Sequence, residues 1–198
     1  MGLEEILIRN SEEDIPVDGG EFSSETAVCS ADGIEMIGVK LNACRLCGSS
    51  MERGYFKGTS FTGCDLSNVR FCESTFREVV FTNCKLTGAV FSESVFDRAE
   101  FVNCSGKYTV FSACELKKSA FRECSMPEIG FGGAKFSAVK LSDNNFRQCD
   151  LVHAKMAGLD LSSCDISGAV MIPAELKNVT VNYEQALTAA ELLGIKIV

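Results

Sequence analysis

Every fifth residue of this chain but one, from Met36 to Met171, is large and apolar. A spacing of five belongs neither to an α-helix (3.6) nor to a plain strand (2.0), so both regular solutions are excluded. Of 28 consecutive positions in this register, 27 carry Phe, Leu, Met or Ile, and only Gly106 breaks the series. Thirteen of the 14 phenylalanines fall in it, with no insertion or deletion between Met36 and Met171. Two residues before each large side chain comes a smaller one, as in Cys44, Ser49, Gly54, Thr59 and Cys64, and the other three positions are mostly polar, small or charged. One large and one small inward residue, separated by one outward residue, describe a short extended segment with a turn at each end. Four such sides close a square coil.

A second period checks the first. Cys44, Cys64, Cys84, Cys104, Cys124 and Cys164 are separated by multiples of 20, with Asn144 in the one gap, and they form a single column inside the tube. Phe61, Phe81, Phe101 and Phe121 form another. Such chains are repeat arrays in which each unit is stable only when stacked on its neighbours. The pattern predicts one repeat domain at 34–173, an acidic cap segment at 1–33 and a C-terminal cap at 174–198. In that cap, Asn182 and Gln185 read as a capping box and Gly194 as a terminator, which gives a helix at about 183–193. An extended tail, Ile195 to Ile197, follows. Cys29 and Ile34 are expected to start a partial coil at the other end.

Stretches such as Cys64-Asp65-Leu66-Ser67-Asn68 and Cys164-Asp165-Ile166-Ser167-Gly168 resemble the pentapeptide-repeat family, whose repeat is A(D/N)LXX. The likeness covers about residues 34–173, with Phe favoured at the centre and Cys or Ser often in place of Ala. It implies an all-β solenoid, a right-handed quadrilateral β-helix of about seven 20-residue coils, closed by the C-terminal capping helix. Some members of the family mimic B-DNA, bind DNA gyrase or topoisomerase IV and protect against quinolones, so a type II topoisomerase is the partner that the resemblance names.

Charge argues against that partner. Residues 1–35 hold ten acids against Arg9 alone, whereas residues 36–171 hold 14 acids and 16 bases, so the net charge of −8 belongs to the N-terminus. A tube with a slight basic excess has no phosphate-like field, and gyrase inhibition is expected to be weak or absent. Direct nucleic-acid binding is not expected either, because the excess is small and the aromatics point inward. Nor is catalysis: the lone histidine, His153, is outward and without a patterned partner, and a filled core leaves no cleft. No cofactor is expected. The cysteines read as reduced thiols filling alanine positions, since parallel Cβ vectors suit disulfides poorly and a line of thiols is not a tetrahedral metal site. With no apolar run of 18 residues and no secretory or myristoylation pattern at the start, the chain reads as cytosolic.

The remaining reading is a protein-interaction scaffold whose partner no motif names. Its candidate contact face is Val90, Val110, Ser112, Ala113, Gly130, Gly132 and Gly133, with Ser92, small uncharged outward residues on three successive coils that only Glu93 interrupts. A homodimer through the C-terminal helix is also expected. Tyr183, Ala186, Leu187, Ala190 and Leu193 form the stripe assigned to covering the tube end, and Ala189 and Leu192 lie off it. Tyr183, Leu187, Ala189 and Leu192 are the candidate dimer residues.

Overall fold

The structure, a computed structural model, describes residues 1–196, so the end of the Ile195–Ile197 tail lies outside the described residues. After the helix α1 (Leu3–Glu13), strands alternate between two sides of a square solenoid. One side stacks β1 (Val17–Asp18), β3 (Glu35–Ile37), β5 (Tyr55–Lys57), β7 (Thr75–Arg77), β9 (Val95–Asp97), β11 (Glu115–Lys117) and β13 (Lys135–Ser137). The next stacks β2 (Glu21–Ser23), β4 (Lys40–Asn42), β6 (Ser60–Thr62), β8 (Val80–Thr82), β10 (Glu100–Val102), β12 (Ala120–Arg122) and β14 (Lys140–Ser142). Both ladders are parallel, and from β3 onward partners are 20 residues apart, as in Phe61↔Phe81 and Phe101↔Phe121. The third and fourth sides are too short for strands and are held by single parallel bridges, such as Arg45↔Asp65 and Val90↔Val110.

Three-residue strands follow from the pattern: the central residue is buried while its two neighbours face out, and the next residue but one turns the corner. All 26 corner positions from Gly33 to Gly158, taken every five residues, have positive φ. Only eight are glycine; Glu73, Arg98, Tyr108, Lys118 and His153 are among the others. Left-handed backbone costs an L-residue roughly 1–2 kcal/mol, and it is least tolerable for a β-branched side chain. None of the 26 corners is Val, Ile or Thr. Ala138, at φ 52° and exposed, tests the rule. Ala138→Val is expected to cost about 1–3 kcal/mol in urea unfolding, and Ala138→Gly is expected to cost nothing measurable.

Within residues 34–173 each ladder has six strands, β3 to β13 on one side and β4 to β14 on the next, so six coils carry strands, one fewer than the seven coils the spacing gives. The difference lies at the C-terminal end, where residues 155–170 continue the coil through isolated bridges such as Lys135↔Lys155 and Asn145↔Asp165. In the coil before it, Phe136, Val139 and Leu141 are already no longer fully buried.

The first 33 residues, for which the spacing supplies no conformation, form a coil with a helical lid. Val17 pairs with Met36 and Thr26 with Arg45, 19 apart, and the 20-residue register begins at Ser30↔Ser50. Small residues, Ala27 and Ala31, are buried in this coil, and Leu3 and Leu7 of α1 join the same core. Asn10 fastens the lid: its side-chain amide accepts from the Glu35 N–H (2.9 Å) and donates to the carbonyls of Ile15 and Glu35.

The opposite end is closed by the 3-10 turn Pro173–Leu176 and α2 (Tyr183–Leu192). The capping box is present: the Gln185 N–H donates to Asn182 Oδ1 (3.0 Å) and the Asn182 N–H to Gln185 Oε1 (2.9 Å). Gly194, at φ 78°, follows the C-cap Leu193.

Candidate interaction surfaces

The interior is a stack of rings. Phe61, Phe81, Phe101 and Phe121 lie nearly parallel, with successive centroids 4.9, 4.7 and 4.5 Å apart. Phe71, Phe91 and Phe111 form a second stack at 5.2 and 4.8 Å, meeting the first edge-on. These are the geometries that aromatic quadrupoles favour. The small inward class bonds the wall together. Cys64, Cys84, Cys104 and Cys124 each donate S–H to the carbonyl 23 residues earlier, and Ser74, Ser94 and Thr59 place hydroxyls in the same way. Asn144 keeps the column's rule with an amide: it donates to the Phe121 carbonyl (3.0 Å) and accepts from the Cys124 N–H (3.0 Å), and Cys164 lies 3.6 Å beyond. Burial pushes the lone inward thiols of Cys114 and Cys149 up to about 12, so they stay protonated.

The outer sides differ in charge. On the strand-bearing sides, cations pair along the tube: Arg98 with Glu78 (2.7 Å) and Asp97 (3.1 Å), Arg122 with Glu100 (2.6 Å). Glu115 is shared by Lys117 and Lys135, each at 2.8 Å, which lowers its carboxyl to about 2. The candidate contact face is different. Val90, Val110 and Gly130 bridge one another on the fourth side, with Ser92, Ser112 and Gly132 beside them and Ala113 and Gly133 at the corner. Among the described residues no salt bridge joins residues of this face between Val90 and Gly133. A Cβ on Gly130 would meet only ordinary contacts, at 3.7 and 3.9 Å, so that glycine opens a shallow flat in the wall.

The C-terminal helix departs from its assigned packing. None of its residues is buried, and Tyr183 (77% exposed), a member of the expected covering stripe, faces out with Leu192 (51%) and with Leu193 (63%) of the C-cap. Polar bonds hold α2 instead: Gln185 Nε2 donates to the carbonyls of Leu161 (3.0 Å) and Cys164 (2.8 Å), and Asn182 Nδ2 to that of Ser162 (2.9 Å). Leu187 and Ala189 are half-buried. A cleft of about 460 Å³ remains between α2 and the last coil, lined by Ile166, Met171, Leu176 and Val181. The sequence reading missed it because it assumed close packing of the cap. It also missed α1, although Leu3, Leu7 and Asn10 have helical spacing. His153 is exposed and lies against Glu175, its backbone N–H donating to Oε2 at 2.9 Å. No helix among the described residues is long and apolar enough to cross a membrane.

The square coil, the five-residue register and the left-handed corners define a pentapeptide-repeat solenoid. The family description "Pentapeptide repeat region" matches residues 34–96 and 74–145, and "Pentapeptide repeats (8 copies)" matches 131–171. The chain belongs to the pentapeptide-repeat family. Among solved structures it is similar to HetL of the cyanobacterium Nostoc, described as involved in heterocyst differentiation regulation. That pair shares 16% identity over 91% of this chain and 94% of the other, with a TM-score of 0.49. It is also similar to QnrB1, a plasmid-mediated fluoroquinolone resistance protein, at 19% identity over 89% and 100% of the chains with a TM-score of 0.44. No curated protein matches the chain.

Proposed function

We propose that this protein is a non-enzymatic scaffold that presents its fourth side to a protein partner and pairs with a second copy through its C-terminal end. One observation carries the first half: the stretch of the fourth side from Val90 to Gly133 carries no ion pair among the described residues, where the neighbouring strand-bearing sides are laced with them and the same side nearer the N-terminus pairs Arg70 with Glu52. Interface centres are depleted in charge and need close approach, and small side chains on a rigid wall supply both. The second half is supported by apolar side chains that the cap leaves in water, Tyr183, Leu192 and Leu193.

Val90→Lys with Val110→Lys is expected to abolish capture of a specific partner from the source cell while leaving the unfolding temperature unchanged. Arg70 occupies the same column, so the wall accepts a long cation there. Leu192→Glu is expected to turn a sedimenting dimer into a folded monomer. Unchanged capture in the first variant removes the contact face, and a wild-type monomer at high concentration removes the dimer.

Mimicry of DNA is less well supported. Glu73 and Glu93 share a corner column with Arg53, and the neighbouring Glu52 is paired with Arg70 (2.7 Å) and Arg53 (3.8 Å). A supercoiling assay with purified gyrase separates the readings, and strong inhibition would favour the mimic.

A further inference from the structure

Cys44, Cys64, Cys84, Cys104 and Cys124 stand on five successive coils, each no more than 1% exposed. Their sulfurs are anchored alike. The distances to the carbonyl in the preceding coil are 3.4, 3.3, 3.2, 3.4 and 3.4 Å. Those to the carbonyl two residues earlier are 3.6, 3.6, 3.5, 3.5 and 3.4 Å. Equal anchors in every coil mean that the sulfur position repeats by the coil translation itself. Neighbouring sulfurs are therefore about 4.8 Å apart, in a line.

We propose that this column is a binding site for soft divalent ions that favour linear two-sulfur coordination, with mercury(II) the type, each ion seated between adjacent thiolates. The midpoint of a step lies about 2.4 Å from both sulfurs, close to the ~2.3 Å of a zinc–thiolate bond. The Cβ–S bonds run across the column, so the ion meets each sulfur roughly at a right angle, which suits a bent thiolate. The parallel Cβ vectors that oppose a disulfide thus favour a linear bridge. Tetrahedral ions are not served, since no group of three or more His, Cys, Asp or Glu among the described residues comes together around one point.

The exchange balances without a redox step. Two S–H bonds break, two S–Hg bonds form, and two protons leave to solvent, so Hg2+ and two thiols give a neutral S–Hg–S unit. Neutrality matters in a dry core, where a monovalent ion between two thiolates would leave a buried negative charge. The hydrogen bonds given up are weak, because a thiol is a poor donor.

Five thiols in a line hold two such ions, and which thiols are removed matters more than how many. In a Cys29→Ser, Cys47→Ser, Cys72→Ser background, which lacks the half-buried thiols, protein is equilibrated with mercuric chloride just below its unfolding temperature. It is then passed through a column containing a small competing thiol. Two mercury ions per chain should be retained, and X-ray absorption should show two sulfurs per metal. Adding Cys84→Ser leaves the pairs 44–64 and 104–124, so retention should stay at two. Adding Cys64→Ser with Cys104→Ser leaves no neighbours, and retention should fall to zero. Serine fits these sites, as Ser74 and Ser94 already make the equivalent bond, and circular dichroism verifies each fold. Retention in proportion to the number of thiols, one sulfur per metal, or no retention by the background protein would each overturn the proposal.

Discussion

Phe91→Ala is expected to lower the unfolding free energy by about 3–5 kcal/mol. The ring is stacked between Phe71 (5.2 Å) and Phe111 (4.8 Å) and touches Phe76, Phe81, Phe96 and Phe101 with its edge or face. It is fully buried at mid-length, and the neighbouring coils cannot close over the gap without breaking their own ladder, which favours the upper end of the range. Phe136→Ala, in the half-buried last strand of its ladder, β13, should cost much less. Equilibrium urea unfolding of the two variants checks both the size and the order. Equal losses would mean that stability is spread evenly along the tube and not concentrated where rings are enclosed.

The second large effect has a sign that pattern reasoning gets wrong. Gly106 is the one vacancy in 28 large positions, and restoring Leu there looks like filling a hole. The structure has no hole. A Cβ at Gly106 would lie 2.5 Å from Thr109 Oγ1, 2.9 Å from the Leu86 carbonyl carbon and 3.0 Å from Leu86 Cβ. Thr109, at its regular small inward position, lies against the space, its hydroxyl within hydrogen-bond distance of the carbonyls of Leu86 (3.0 Å) and Gly106 (3.1 Å). Gly106→Leu is therefore expected to destabilise by about 1–3 kcal/mol through overpacking, and Gly106→Ala to destabilise as well, because backbone atoms are among those struck. A rise in the urea midpoint for either variant would show that the wall can relax outward.

Those two positions mark how far the sequence could be read. Phe91 was legible because a period of five repeated without a gap makes every large residue part of one column, and the columns of Phe and Cys are where the spacing puts them. Gly106 was legible as an exception but not as a shape, since the position of Leu86 depends on how the coils settle around it. The outward placing of the candidate face residues could be read because outward positions follow from inward ones. The ends could not. At residues 1–33 a one-residue slip removes the period, and at 155–170 the period persists while the strands stop. The helix α2 was found from its capping box, yet a cap residue fixes where a helix begins, not what it rests on, and the cleft beneath it depends on the latter.

Nearly every bond in the tube joins a residue to one about 20 positions earlier or later, as in Asp65 N–H to the Cys44 carbonyl and Lys85 N–H to the Cys64 carbonyl. A chain wired in that way can be built in the order in which it is synthesised. Each coil finds a finished template as it emerges, beginning from the lid made by Leu3, Leu7 and Asn10, and no segment has to wait for a distant partner. The growing edge is always a set of short parallel strands awaiting their own continuation. A pause in translation would leave that edge open to the matching edge of another nascent chain. Within the described residues, α2 follows the last coil and ends the stack.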